Sequence, residues 1–418
     1  MKMTRRWFLK TVTAGTTSCL AGSGSVGIGR PEPGRIERID QALSATARFL
    51  LGGQSDDGGW HSDVYGPFKE GPCLTPLVLR TLLKLPAGKD VEARYRKGAA
   101  YLAAQVKRDG TIEAGPHGLN YPVYTAAGAV GVLSQPCNAR HRRARDVWLA
   151  YLRERQLTED LGWEPADKPY GGWGYSPRLP RKSKPGEPLL PLTESNLSAT
   201  LFALEALHEA GAKQDDPAYR KALVFVRRCQ NFGDDERQRE SAFDDGGFFF
   251  IYDDVVRNKA GVAGKDRSGR ERYGSYGSTT ADGLRALLYC GRPPGDARVA
   301  AAVAWLEANF RSDSHPGKFA DEREPNRGAV YFYYCCSVAR ALLAARLEEL
   351  RTPRGKIRWA EGLADELVKR QRRDGSWSNP LVPQREDDPL VATSQAALAL
   401  AACRESLTGK RVLAVTEP

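Results

Sequence analysis

Residues 43–60, LSATARFLLGGQSDDGGW, run as a helix from Leu43 to Gln54 and then turn sharply through Ser55-Asp56-Asp57-Gly58-Gly59 onto Trp60. A second helix follows over Leu74–Leu85, and the same order of elements returns five more times. A unit recurring in this way marks a repeat architecture, because no single unit can bury its own apolar face. Ala93–Gln105 leads through Asp109-Gly110 to a helix over Val123–Leu133, and Ala144–Gln156 leads through Tyr170-Gly171-Gly172-Trp173-Gly174 to Asn196–Ala210. Pro217–Gln230 leads through Asp244-Asp245-Gly246-Gly247-Phe248 and a long insert to Thr279–Cys290. Ala297–Phe310 leads through Pro316-Gly317-Lys318-Phe319 to Ala329–Leu347, and Ile357–Gln371 leads through Asp374-Gly375-Ser376-Trp377 to Val391–Cys403. The anchoring glycines are Gly59, Gly110, Gly172, Gly247, Gly317 and Gly375, whose spacings of 51, 62, 75, 70 and 58 residues vary with the inserts.

Periodicity separates the two helices of each unit. The first is amphipathic: in the last copy Ala360, Leu363, Ala364 and Leu367 share one face, opposite Glu361, Asp365, Glu366 and Lys369. The second is apolar nearly all round, as in Leu197–Leu207 and Val391–Ala402, and must be buried on most sides. Six outer helices around six inner ones predict an all-α (α/α)6 toroid over residues 35–407, followed by a tail at 408–418. The alternative is an open solenoid, whose end repeats need a polar outer face that is not evident here.

Gln54-x-x-x-Gly-x-Trp60 and its copy Gln371-x-x-Asp-Gly-Ser-Trp377 resemble the QW repeats of the squalene and hopene cyclases and of protein prenyltransferase β-subunits. The glycine permits the turn, while the glutamine and tryptophan pack and hydrogen-bond against helix ends. The resemblance implies the toroid fold and, less directly, an isoprenoid or triterpenoid ligand, since one fold hosts unrelated chemistries.

Alkene-protonating members of that superfamily carry Asp-x-Asp-Asp at the start of an inner helix. An acid that protonates an alkene needs neighbouring carboxylates and a dry pocket. The matching place here is Glu194-Ser195-Asn196-Leu197-Ser198-Ala199, with one acid left. Glu194 and Asp282 are therefore the acids to test for catalysis. By the same resemblance the zinc ligands of the prenyltransferases fall near Gly274, Tyr276 and Phe332, none of which is a ligand, so no metal or other cofactor is expected. The Asp-Asp-x-x-Asp run of diphosphate-ionising synthases and the thioester Cys-Gly-Glu-Gln of the complement relatives are both absent. Around the starts of the inner helices cluster Tyr124, Tyr276, Tyr331, Phe332 and Tyr333, with Asn196 among them. Such rings accept apolar ligands and stabilise cations, or they pack the inner helices together. The Asp234–Tyr276 insert is long enough to fold over the barrel mouth as a lid. Two further readings stay open: a non-catalytic scaffold holding a peptide or glycan at the mouth, and a polysaccharide lyase or hydrolase on a helical toroid.

The chain of 418 residues carries 62 Lys and Arg against 51 Asp and Glu. Of the resulting +11, four charges (Lys2, Arg5, Arg6, Lys10) lie in the acid-free first 29 residues, and the remainder is scattered without the basic stripe of a nucleic-acid binder. Thr4-Arg5-Arg6-Trp7-Phe8-Leu9-Lys10, followed by small and mildly apolar residues to Gly29, resembles a twin-arginine export signal. That implies passage through the twin-arginine (Tat) translocase and an extracytoplasmic location. Cysteines outside this segment stand mostly in apolar helices and read as buried small hydrophobes.

Overall fold

The computed structural model describes residues 34–410, apart from 70–71, 114–118, 185, 189–190, 236, 238 and 253. The twin-arginine segment and residues 411–418 of the tail lie outside the described residues. In chain order the helices are α1 (Arg35–Gly52), the short α2 (Gly66–Lys69), α3 (Thr75–Leu82), α4 (Lys89–Ala104), α5 (Pro122–Leu133), α6 (Arg142–Arg153), α7 (Leu197–Glu209), α8 (Pro217–Arg228), α9 (Gly277–Tyr289), α10 (Ala297–Asn309), the short α11 (Glu324–Ala329), α12 (Tyr331–Ala344), α13 (Trp359–Arg370) and α14 (Pro389–Thr408). None of them is long and apolar enough to cross a membrane.

Helices α3, α5, α7, α9, α12 and α14 form an inner ring in which each packs on the next and α14 packs back on α3. That return contact makes the architecture a closed toroid, since a solenoid would leave both ends unpaired. The amphipathic helices α1, α4, α6, α8, α10 and α13 lie outside, and α1 touches both α13 and α4. Cys229, Cys335, Cys336 and Cys403 are buried free thiols in this packing.

Three small antiparallel ribbons interrupt the helices: β1 (Trp173–Gly174) with β2 (Ser195–Asn196), β3 (Val262–Lys265) with β4 (Glu271–Tyr273), and β5 (Glu349–Thr352) with β6 (Gly355–Arg358). Ile357 therefore belongs to a strand, and α13 begins two residues later than the pattern predicts. The run Ala329–Leu347 is also not one helix. It breaks at Val330 (φ −128°, ψ 32°), where the Glu386 carboxylate accepts the backbone N–H groups of Phe332 (3.0 Å) and Tyr333 (2.7 Å) and so caps the start of α12.

Four of the turns between outer and inner helices, those led by Gln54, Gln156, Gln230 and Gln371, share one bonding scheme. The Gln54 amide donates to Gly58 O (2.8 Å) and to Arg94 O in α4 (2.9 Å). Gln156 donates to Gly171 O (2.8 Å) and Ala218 O (2.9 Å), and Gln230 to Gly246 O (3.0 Å) and Arg298 O (2.9 Å). Gln371 donates to Gly375 O (3.0 Å) and to Ala42 O in α1 (2.9 Å). Each glutamine thus closes its own turn and ties one outer helix to the next, and Gln371 ties the last copy to the first. The indole N–H groups of Trp60, Trp173 and Trp377 donate to Leu50 O, Leu152 O and Leu367 O at the ends of the outer helices. In the paired-glycine turns the left-handed residue is the first of the pair, Gly58, Gly171 or Gly246, rather than the second. A Cβ on Gly171 (φ 88°) would stand 1.9 Å from Lys221 O, and one on Gly375 (φ 88°) 2.4 Å from Ala45 O, so no other residue fits there.

The insert after the fourth turn covers the N-terminal mouth of the ring. Phe250, Ile251 and Ala260 pack with Tyr276 and Phe319, and Phe250 O accepts the N–H of Leu197 at the start of α7 (2.9 Å). Asn258 holds this covering loop together by accepting from Phe250 N (2.9 Å) and donating to Ile251 O and Asp254 O (both 2.7 Å).

Candidate functional site

The inner helices are buried almost throughout, and their exceptions locate the lumen. Tyr124 is the one half-buried residue of α5, as is Phe202 of α7 up to Leu207, and Tyr333 interrupts a buried run in α12. Leu77 on α3 and Gln395 and Leu398 on α14 are half-buried in the same way. The outer helices cover these helices from behind, so residual exposure means a face turned to the ring axis.

Helix α9 contributes the acid. Asp282 is fully buried, and its carboxyl accepts from three hydroxyls on the two flanking helices: Ser198 Oγ of α7 (3.0 Å), Tyr333 OH of α12 (2.7 Å) and Ser337 Oγ of α12 (2.8 Å). Two opposed effects act on it. Burial raises its pKa by penalising the charged form, while Arg285 and the three hydroxyls favour the carboxylate; burial wins, and the pKa rises. Beside it stand Tyr124 and Tyr175, whose hydroxyls are 3.0 Å apart, and Phe202, edge-on to Tyr124 with ring centroids 4.8 Å apart.

The covering loop adds a cation. Lys259 Nζ lies 4.9 Å from the centroid of the Phe250 ring. Burial lowers its pKa to about 8, against the pull of Asp282 and Glu386. Glu386 is itself sealed, and burial raises its pKa to about 7 despite the N–H groups it accepts from Tyr333, Asn379 and Phe332.

The structure sorts the residues singled out in the sequence. Asp282 and Tyr333 meet directly, with Tyr124 in the same lumen. Glu194 stands at the rim, its side chain 43% exposed and paired with Arg257 at 3.1 Å. Asn196 caps α7, with Oδ1 accepting from Ala199 N (2.9 Å) and Nδ2 buried without a partner. Tyr276 is sealed against His315 and Phe319 beneath the covering loop. The Tyr331 hydroxyl donates to Ser312 O (2.6 Å), and Arg370 lies over its ring at 4.0 Å. Phe332 packs edge-on to Tyr331, with centroids 5.3 Å apart. Among the described residues no group of three or more His, Cys, Asp or Glu is placed to hold a metal ion.

No family model matches the sequence, and no curated protein does. Solved structures do match. A variant of the type II terpene cyclase MstE from Scytonema, holding its product merosterolic acid A, aligns with a TM-score of 0.56 at 15% identity, over 89% of this chain and 99% of that one. Another MstE variant, holding its substrate geranylgeranyl dihydroxybenzoate, aligns with a TM-score of 0.54 at 14% identity over 89% and 98%. A protein from Actinoplanes aligns with a TM-score of 0.52 at 14% identity over 87% and 99%. This chain has the helical toroid fold of the terpene cyclases. At such identities the likeness extends to the fold and leaves the chemistry to the residues of the lumen.

Several of those residues escaped the sequence reading. Ser198, Ser337 and Phe202 lie in helices that read as uniformly apolar, and Tyr175, Lys259 and Glu386 lie in loops. One signal was available. Tyr333 and Ser337 are four residues apart and so share a helix face.

Proposed function

We propose that this protein takes an elongated isoprenoid into the lumen of its toroid, where Asp282 serves as proton donor to an alkene. The observation that carries the reading is the buried carboxyl of Asp282, ringed by three hydroxyl donors and walled by Tyr124, Phe202 and Tyr333. Burial favours the protonated form of this acid. Hydroxyls donating to its oxygens stabilise the carboxylate that forms as the proton leaves, which strengthens the acid at the moment of transfer. The proton passes from the carboxyl to one alkene carbon, leaving a carbocation on the other. Ring closure moves that charge along the chain, facing the aromatic walls. Loss of a proton from the product cation completes an isomerisation with no change of mass. The twin-arginine reading of the N-terminus adds that this takes place outside the cytoplasm.

The test incubates the purified protein with squalene and with polyprenoid alcohols and follows cyclic isomers by gas chromatography and mass spectrometry. Asp282→Asn should lower turnover by about 10²-fold or more, the range of a lost general acid, while co-extracted lipid persists. The absence of both cyclic product and lipid enrichment above that of an unrelated exported protein would sink the reading.

A further inference from the structure

One helical turn beyond Asp282, toward the C-terminal ends of the inner helices, the ring holds a second polar layer. Glu205 of α7 is buried, and three guanidinium groups converge on it: Arg80 of α3 (2.9 Å), Arg285 of α9 (3.0 Å) and Arg340 of α12. Arg80 also pairs with Glu209 (2.7 Å). The three cations hold Glu205 well below the usual carboxylate range, so it stays ionised. Cations here exceed anions by one.

This layer lines a cavity of about 570 Å³, within the size range of small-molecule sites. Small residues keep it open. Ala344, Ala401 and Ala402 lie in its wall, as does Gly131, where a Cβ would come within 2.3 Å of both Arg80 Nη1 and Glu209 Oε2. Among the described residues the side chains of Arg285 and Arg340 bond Glu205 alone, each through one nitrogen, and both line the cavity. Their other N–H groups are not needed to cap helix ends. In the last turns of α7, α9 and α12 the carbonyls of Leu207, Leu287 and Leu342 are met by the backbone N–H groups of Ala212, Arg292 and Leu347. Forked donors from separate helices, with a surplus positive charge and room beside them, suit an oxyanion.

We propose that this cavity binds a phosphate-class oxyanion, with Arg285 and Arg340 as its principal donors. The proposal stands apart from the chemistry assigned to Asp282. The ion could be free diphosphate or the diphosphate head of an isoprenoid, and the experiment separates these sources. Calorimetric titration of the full chain uses inorganic diphosphate, geranylgeranyl diphosphate and geranylgeraniol. Diphosphate should bind, with affinity that falls as salt is raised. Arg340→Gln and Arg285→Gln should each weaken it at least tenfold. Glu205→Gln removes the carboxylate that competes with the ligand, and should tighten binding several-fold; a purely structural charge cluster predicts binding in neither form. Geranylgeranyl diphosphate binding tenfold more tightly than diphosphate would support a lipid head, and equal affinities a free ion. No diphosphate binding by folded wild type and folded Glu205→Gln, or binding indifferent to both arginine variants, overturns the site. Asp282→Asn should leave diphosphate binding unchanged, so failure here and failure of the lumen chemistry are distinguishable.

Discussion

Glu386 shows how much depends on one buried group. Its carboxyl keeps a proton to about pH 7 in the folded chain, whereas the same group ionises near its ordinary value of about 4.3 when unfolded. Between those values the native state binds more protons than the unfolded one, so stability falls as pH rises through that window and levels off above it. At about 1.4 kcal/mol per pH unit the loss approaches roughly 4 kcal/mol. Glu386→Gln should flatten this slope, read by urea unfolding at steps from pH 4.5 to 7.5. Removing Tyr333's hydroxyl makes a second test at this scale. Tyr333→Phe takes away a donor to Asp282 and should weaken the acid, lowering proton-transfer turnover by roughly tenfold while changing stability by about 1 kcal/mol. Asp282 was legible in the sequence as an acid on an inner helix, and Tyr333 as an aromatic near a helix start. Their meeting was not, because it depends on how α7, α9 and α12 are rotated about their own axes, and no pattern within one helix fixes that.

At the scale of elements, the glutamine ties predict unequal costs. Gln371→Ala removes half-buried bonds to Ala42 O and Gly375 O, carbonyls that also accept from Thr46 Oγ1, and should cost about 1 kcal/mol in urea unfolding. Among the described residues the side chain of the equivalent Gln105 bonds Tyr101 O of its own helix alone, at 3.1 Å; Gln105→Ala should cost under about 0.5 kcal/mol. The order and type of the helix pairs were readable, because an all-apolar run and an amphipathic run differ in period and need no distant information, whereas their ends were not: α1 begins at Arg35 rather than Leu43, and α14 runs on to Thr408. The exceptions had remote causes. Val330 breaks the α11–α12 run because Glu386, more than fifty residues on, takes the first N–H groups of α12. Ile357 joins β6 because Leu350 pairs with it in β5, a contact invisible to helical periodicity.

The whole molecule behaves as a ring, and a ring has no expendable segment. Deleting α13 and α14 would expose the apolar faces of α12, α3 and α1 together, so residues 34–358 alone should show no cooperative urea transition by circular dichroism. An open array would shed an end pair and keep a residual transition. Closure was foreseeable from the absence of a polar capping unit, yet the bond that completes it, Gln371 to Ala42, could be recognised only once both ends were in place. The two charged layers on the axis were hidden for a related reason: Glu205, Arg285 and Arg340 are isolated charges in apolar helices until three of those helices are brought side by side. The same Gln371–Ala42 contact, supported by Arg404 with Asp40 (2.5 Å) and Arg35 with Asp365 (3.1 Å), has a consequence for connectivity. Where the first outer helix is fastened to the last by the same tie that joins α1 to α4, α6 to α8 and α8 to α10, the order in which the pairs are strung is incidental to the shape. A circular permutant opened at the Pro353–Arg354 turn, with residues 34 and 410 joined by a short flexible linker, should refold to the same wheel.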